Sequence, residues 1–546
     1  MPKIYHYNKN LTLRYLFYRL SFRNHYYWGS KNKKDNISMP PSKKYYKYSA
    51  NARNQVESYY NQYYSDASFD KVFLSYIKKS IILKYLDYYA FRKAIPNSSS
   101  IIVNSPYYFS DIYESRKPKV RASSLYKLFL GYIKLFSLFF SSLFISLISY
   151  NKVKLPQVVY IRKKAYHDLG IGELIGKEIS NNGISYLKII KGFIYKSPLT
   201  GFLCLNRLKG SVFRTIKSFI QTIYLSIVDL KYFLFSNIPF NYFQSFLVDT
   251  YFAYNFLNIN SKIYTGNLLD KPFYVLLNRY KKEQLLCSIN ESFFYPPFIS
   301  FDYNYLDVYY AMNSIDKNTI NYNGGNIKEY KYVEFFRKNL LTSSNRISDD
   351  LQSKIPLFSK TILITTIQSP HNLYTQWSPN DLCAFILKIF ELSKKMDNYL
   401  FIIKEKKGEL RYLSKKMKDS LFIQNNILVI DSSVPRLLKE NQFEDIISIS
   451  DLLISMSHTS TTIWQFLSNN KPAIAVNENH PNSFLKKYDN FEVCLDELDI
   501  AVTYWLTLDN SKWNKLQNEI SINVNIGEGK GLNQVGSDIL DRINKY

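Results

Sequence analysis

The chain is short of the features that usually sort a sequence quickly, and each shortage excludes something. Its 546 residues hold four cysteines, Cys204, Cys287, Cys383 and Cys494, far apart and without a C-x-x-C spacing. That excludes a zinc ribbon and a disulfide framework, and fits a reducing cytoplasm. No uncharged apolar run reaches the roughly 20 residues a bilayer span needs, so a polytopic membrane protein is excluded. Met1 to Leu20 has no continuous apolar stretch behind its basic residues, and we expect no signal peptide there. No D-x-D motif stands in a convincing loop, and no basic-aromatic motif of a nucleic-acid-binding module occurs. Histidine is scarce too, at six residues.

Acidic residues are also few: 71 Lys+Arg stand against 44 Asp+Glu, a formal net charge of +27. The excess is uneven. Residues 346 to 546 carry 23 basic against 24 acidic side chains, which leaves 48 against 20, a net +28, in residues 1 to 345. A compositional bias toward Tyr, Asn, Lys and Ile would raise lysine in both parts equally. The first part is therefore expected to face something anionic: nucleic acid, a membrane surface or a phosphorylated acceptor.

The most informative stretch is Glu444 to Pro481. Asp451 to Ser455 is a short apolar run of strand length, Met456 to Thr462 a hydroxyl-rich loop, Ile463 to Leu467 the opening of a helix, and Pro472 to Val476 a second buried strand. Two such strands joined by a helix make a βαβ unit, which places the loop at the carboxyl edge of a parallel sheet. Ser457, Thr459, Ser460, Thr461 and Thr462, with His458, form a candidate phosphate cradle at a helix amino end. The plainer reading is a helix cap, for which one hydroxyl suffices.

The run from Ser460 to Ala475, S-T-T-x-W-x-x-L-x-x-x-K-P-x-I-A, resembles the donor-binding segment of GT-B glycosyltransferases of the bacterial surface or capsular polysaccharide type. The resemblance covers the last two hundred or so residues. It implies an α/β protein of two Rossmann-like, doubly wound domains facing across a cleft. It also implies that the loop and helix start hold the phosphates of a nucleotide-sugar, taken as substrate with no cofactor; with no D-x-D motif in a convincing loop, we expect metal independence. Where the family commonly has a Glu for the ribose hydroxyls this chain has Gln465, an amide that can still donate and accept. A basic residue after an earlier strand of the domain commonly neutralises donor phosphate, and Lys404 and Lys406 stand there; a solvated charge run is the alternative.

The remaining chain fits that frame. Residues 1–150 read as a basic, helical or irregular extension, irregular from Arg23 to Ser68 and helical from Val72 to Arg92. Leu125 to Tyr150 is the most apolar segment. Lys127, Lys134, Ser137, Ser141 and Ser149 draw a polar stripe down it, widened by Ser142 and Ser146, which leaves a membrane-interfacial helix, a core helix or a span open. Residues 151–345 read as the acceptor domain, with strands near Val158, Leu187, Ser261, Gln284 and Leu306, a long helical stretch from Leu208 to Asn258, and a last helix to Phe336. His167 and Asp168 follow the first strand, where the resemblance implies the acceptor side and its catalytic base; a turn and cap pair is the alternative. Glu291 is a further candidate base. Residues 346–546 read as the donor domain, with strands at Thr361, Tyr399, Ile427, Asp451 and Pro472, closed by helices from Asp496 to Asn518 and Asn533 to Asn544. His371 and His480 follow strands of this sheet and are expected near the His458 loop, although strand order decides that.

Function follows as an expectation: transfer of a sugar from a nucleotide-sugar to a surface-polysaccharide or lipid-linked glycan acceptor, in the cytoplasm and peripheral at the inner face of the membrane. The rivals are a nucleotide-sugar epimerase of the same fold and a non-catalytic protein associated with anionic membrane or nucleic acid, the last disfavoured by scattered basic residues.

Overall fold

The computed structural model describes residues 4–6, 25–28, 36–37, 42–64, 70–94, 101–103, 107–116, 125–148, 154–162, 171–190, 208, 210–235, 242–266, 272–289, 303–322, 325–335, 349–366, 379–405, 409–430, 443–456, 461–476, 484–527 and 530–545. At the amino end, β1 (Ile4–His6), β2 (His25–Trp28), β3 (Asn36–Ile37) and β4 (Ile101–Val103) form a small parallel sheet in the order β3-β2-β1-β4. The irregular chain expected from Arg23 to Ser68 is instead β2, β3 and a helix, α1 (Ser42–Tyr64). Its buried face is Ala52, Val56, Tyr59, Tyr60 and Tyr64. Tyrosine supplies most of that face, so the helix reads as polar in hydropathy while burying large ring area.

The next helix, α2 (Lys71–Ala94), matches the expected span and buries Phe73, Tyr76, Ile77 and Ile81. Beyond it, α3 (Leu125–Ile148) covers the apolar segment. The first large sheet comprises β5 (Val158–Arg162), β6 (Tyr186–Ile190), β7 (Ile263–Gly266), β8 (Leu285–Ile289), β9 (Tyr305–Ala311) and β10 (Asn326–Tyr332), all parallel, in the order β10-β9-β8-β7-β5-β6. Its helices include α4 (Ile171–Asn181), α5 (Ser211–Phe235), α6 (Phe243–Leu257) and α7 (Pro272–Tyr280). The single long stretch expected from Leu208 to Asn258 is thus two helices. The extension shares a hydrophobic cluster with this sheet. Arg279 on α7 ties it down, pairing with Asp70 ahead of α2 at 2.5 Å and with Asp229 on α5 at 2.6 Å.

One expectation fails near residue 330. The helix expected to run to Phe336 is absent: a helix spans Ser314–Tyr322, and Asn326–Tyr332 is the edge strand β10. Its sequence, NIKEYKY, is polar because an edge strand shows one side to water, and charges there discourage pairing with another chain.

The second large sheet comprises β11 (Lys360–Thr365), β12 (Tyr399–Lys404), β13 (Ile427–Ile430), β14 (Leu452–Ser455), β15 (Ala473–Val476) and β16 (Glu492–Val493), again parallel, in the order β13-β12-β11-β14-β15-β16. Strands β13, β14 and β15 are buried along their whole length. Both faces of a parallel sheet are covered by its crossovers, so such strands are apolar along nearly their whole length, Ser455 at the end of β14 being the exception. The βαβ unit closes through α8 (Thr461–Ser468). Asp509 interrupts the helix expected from Asp496 to Asn518 by capping Ser511 N at 2.6 Å.

The last helix, α9 (Gly531–Lys545), was expected to close the second sheet and instead packs on the first domain, against α4. Gly536 faces Glu178 of α4 so closely that an added Cβ would need that side chain to shift. Asp538 anchors the helix: it accepts from Tyr310 Oη at 2.8 Å and Arg542 Nε at 2.7 Å, and pairs with Lys331 of β10. Arg542 also bonds Glu329 at 2.8 Å. Burial acts to raise the Asp538 pKa, and the bonds from Arg542, Lys331 and Tyr310 outweigh it, so its carboxyl titrates below its ordinary range.

A carboxyl depressed in the folded state stabilises it above the unfolded pKa, about 3.9. That contribution disappears as pH falls through the lower folded value. The wild-type melting temperature should therefore fall more steeply than that of Asp538→Asn below about pH 4, followed by circular dichroism. Parallel curves would show that Asp538 carries no such linkage.

Candidate functional site

Numbered in its own chain order, the second sheet runs 3-2-1-4-5-6, so the direction of winding reverses between β11 and β14. Crossover helices leave to opposite faces there and open a crevice at the carboxyl ends of those two strands. Register sets what lines that edge. Ile430, Lys404, Thr365, Ser455, Ala475 and Glu492 are successive partners in one row across the sheet. Lys404 and Ser455 are each one strand from Thr365, which puts their backbones about 10 Å apart.

Thr365 and Ser455 are both buried, and Met456 N donates to Thr365 O at 3.1 Å. The Thr365 hydroxyl has no hydrogen-bond partner among the described residues. From Ser455 the chain reaches α8 within six residues. Ile463, Trp464, Phe466 and Leu467 are fully buried and hold the helix against the sheet, so its first-turn N–H groups are fixed at this edge. Thr462 is half-buried, and Gln465 is buried on the second turn.

Of the expected donor-side residues, Lys404, Thr461, Thr462 and Gln465 belong to β12 and α8. Lys406, Ser457, His458, Thr459, Ser460, His371 and His480 lie outside the described residues, as do His167, Asp168 and Glu291 of the first domain. The strands they follow are described. β11, β14 and β15 are adjacent, so the chain leads to His371, His458 and His480 from three neighbouring strand ends. In the first sheet the order is 2-1-3-4-5-6, with the reversal between β5 and β7. The chain leaves β5 toward His167 and Asp168, and β8, next to β7, toward Glu291. At Gly266, the last residue of β7, φ is +121° and a Cβ would meet the Ile161 carbonyl, so only glycine fits. Thr265 beside it also carries a buried hydroxyl without a hydrogen-bond partner among the described residues.

Two residues acquire roles that the sequence did not show. Lys471, inside the run that carries the resemblance, donates to three carbonyls, Ile447 O at 2.9 Å, Ser448 O at 2.6 Å and Ser450 O at 2.8 Å. It satisfies the carboxyl end of the helix Phe443–Ile449 and is a structural cation. Burial lowers its pKa, with Asp451 opposing. Glu405, beside Lys404, is buried and accepts from Leu410 N at 3.2 Å, which anchors the 3-10 turn at Glu409–Tyr412. Cys287 is buried and its thiol is pushed up to about 12, which removes it as a nucleophile. Among the described residues no group of three or more His, Cys, Asp or Glu is placed to hold a metal ion.

Two doubly wound Rossmann-like domains in succession are the GT-B fold. No protein-family model matches the chain, and no curated protein sequence does. Similar solved structures include UDP-GlcNAc 2-epimerase from Neisseria meningitidis bound to UDP-GlcNAc, 13% identical with a TM-score of 0.42, covering 72% of this chain and 100% of that one. A glycosyltransferase from Rickettsia africae ESF-5 is 13% identical with a TM-score of 0.38, covering 72% and 99%. UDP-glucose: anthocyanidin 3-O-glucosyltransferase in complex with UDP is 9% identical with a TM-score of 0.42, covering 72% and 100%. The strand order, and not these likenesses, carries the fold.

A buried hydroxyl without a partner costs stability, and removing it in a side chain of the same shape recovers about 1 kcal/mol. Thr365→Val should therefore raise the stability of the ligand-free protein by about that amount in urea unfolding. If the hydroxyl serves a ligand, the same variant binds nucleotide more weakly. A variant that is destabilised would place an unseen partner on Thr365.

Proposed function

We propose that the chain is a glycosyltransferase that takes a sugar from a nucleotide-sugar held at the β11/β14 edge and passes it to a surface-polysaccharide or lipid-linked glycan. The observation that carries this reading is the register row that sets Lys404, Thr365 and Ser455 side by side where α8 begins. In this reading the first-turn N–H groups of α8, the hydroxyls from Ser457 to Thr462, and Lys404 with Lys406 hold the donor phosphates, and His458 donates a hydrogen bond to them. Gln465 bonds the ribose hydroxyls, and His371 and His480 border the site from the neighbouring strands.

The acceptor hydroxyl oxygen attacks the anomeric carbon, and the bond from that carbon to the phosphate oxygen breaks. The leaving phosphate keeps the electron pair, and the acceptor proton passes to a base on the first domain. His167, with Asp168 next to it in the sequence, is the proposed base, with Asp168 or Glu291 next in line. The cationic and N–H groups neutralise the leaving phosphate, so no resident cofactor enters the step. An epimerase of the same fold uses the same donor site without an acceptor. The basic surplus of residues 1 to 345 favours transfer, because only transfer needs an anionic or membrane-borne acceptor on that side. Incubation with the nucleotide-sugar alone separates the two: a product formed without acceptor establishes epimerisation.

A thermal-shift screen with UDP, GDP, CMP, CDP and dTDP should find at least one stabilising nucleotide, worth about 2.7 kcal/mol at a hundredfold excess over Kd. Ser460→Ala with Thr461→Ala should abolish that shift while leaving the nucleotide-free melting temperature within a few degrees. A lowered melting temperature with the shift intact would identify these hydroxyls as a helix cap. His458→Ala should chiefly weaken donor binding, whereas His167→Ala should lower turnover at least tenfold with nucleotide affinity nearly unchanged. Equal, small effects would move the base to Asp168 or Glu291.

A further inference from the structure

Helices α3 and α5 lie antiparallel on the surface of the first domain, and both turn apolar side chains outward. Ser142 and Ser146 of α3 meet Thr215 of α5 at 3.5 and 3.4 Å, Phe139 stacks on Phe219 with ring centroids 4.1 Å apart, and Tyr132 bonds Ser226 at 3.0 Å. A helix on a water-facing surface turns its polar stripe outward. On α5 the inward stripe is polar: Arg214, Thr215, Ser218, Thr222, Ser226 and Asp229 are all buried. Ser218 and Thr222 bond carbonyls one turn back at 2.7 Å each, and Asp229 is locked by Arg279.

The outward stripe of α5 is Phe213, Ile216, Ile220, Tyr224 and Ile227, with Phe213 73% exposed. On α3 the outward stripe is Phe129, Ile133, Phe136, Phe140, Phe144 and Leu147, with Phe140 61% exposed. Positions three and four apart share a helix face, so these are two apolar stripes side by side, and an exposed patch of that kind marks a surface that meets another phase or molecule. Ser142 and Ser146, which widen the polar stripe of α3, are buried against α5.

The helix pair lies along that surface and does not leave it. Although α3 is long and apolar enough to cross a membrane, Leu135, Leu138 and Ile145 are buried, and Gly131 lets it approach α6 so closely that an added Cβ would stand 3.2 Å from Leu247. Charge selects the occupant. Lys134 and Lys217 are exposed among the outward residues, α3 contains no carboxylate, and the single one on α5, Asp229, is buried. A second copy would bring like charges together on this face, whereas anionic headgroups match them.

We propose that the outward face of α3 and α5 is a membrane-docking platform, seated in the headgroup and acyl boundary of an anionic bilayer. It holds the first domain on lipid, and it stands whether or not the donor-site reading does, because docking needs no nucleotide.

The test is flotation of the full chain with vesicles of mixed phosphatidylglycerol and phosphatidylcholine at low salt. Wild type should float. Phe140→Glu and Ile220→Glu should each lower the partition coefficient about tenfold or more, and together abolish flotation. Phe140→Leu with Ile220→Leu should keep it, as should Ile522→Ser, which alters an exposed apolar residue on the second domain. Both altered side chains point outward, so the melting temperature should not fall, which separates lost docking from lost fold. Lys134→Glu with Lys217→Glu should weaken binding to these vesicles more than to phosphatidylcholine alone. Flotation of the double Glu variant equal to wild type overturns the proposal. So does a wild type that fails to float but forms a dimer that the double Glu variant dissolves, which would identify a second copy as the occupant.

Discussion

Every strand pairing in the two large sheets is parallel, and most of the molecule follows from that constraint. A parallel pair cannot be closed by a tight turn, so each strand is followed by a crossover that covers a face. With crossovers of one hand, the loops that follow the strands gather at a single edge, and wherever the order reverses two of them part and leave a crevice. The chain makes this arrangement twice. In the second domain the reversal brings Thr365 and Ser455 side by side and starts α8 at their edge. In the first it brings the end of β5 beside Gly266, where the backbones approach too closely for any side chain.

Polar and apolar groups are then distributed by what each surface meets. Inside the second sheet the strands are apolar except near their ends, while the edge strand β10 carries Lys328, Glu329 and Lys331, two of which hold the carboxyl-terminal helix by ion pairs. That helix leaves the second domain and covers the first, so the last residues of the chain tie the two domains together. On α5 the usual order is inverted, with hydroxyls and a buried ion pair inside and apolar side chains outside, while α3 beside it buries Leu135, Leu138 and Ile145 and turns a second apolar face outward. Helix α5 is amphipathic in sequence by the same periodicity as any surface helix, and periodicity carries no sign for which stripe faces out.

Five of the six strands of the second sheet were legible almost residue by residue; β16 was not expected. Tyr399–Lys404 and Ile427–Ile430 are the strands expected, and β11, β14 and β15 differ from expectation by a residue or so at their ends. Short, wholly apolar runs broken by polar loops are a strong signal, because burial on both faces leaves no room for polar side chains. The signal failed where burial was one-sided or aromatic: β10 reads as polar, α1 is built on tyrosine, and the last helix has an apolar stripe that any sheet could accept. Lys471 could be read as part of a binding motif because sequence shows its charge but not the three carbonyls that surround it.

The sequence by itself determined the class of fold and the strands buried on both faces, because propensity and periodicity are local properties of the chain. It also determined the asymmetry of charge, which is a count. Tertiary structure alone decided the strand order, and with it that the chain leads toward His371, His458 and His480 from three adjacent strand ends. It alone decided that α9 belongs to the first domain, that Thr365 buries a hydroxyl without a partner among the described residues, and that α3 and α5 turn their rings to the outside. Each of these depends on which elements meet, and contact between residues hundreds of positions apart is set by packing, which no local pattern encodes.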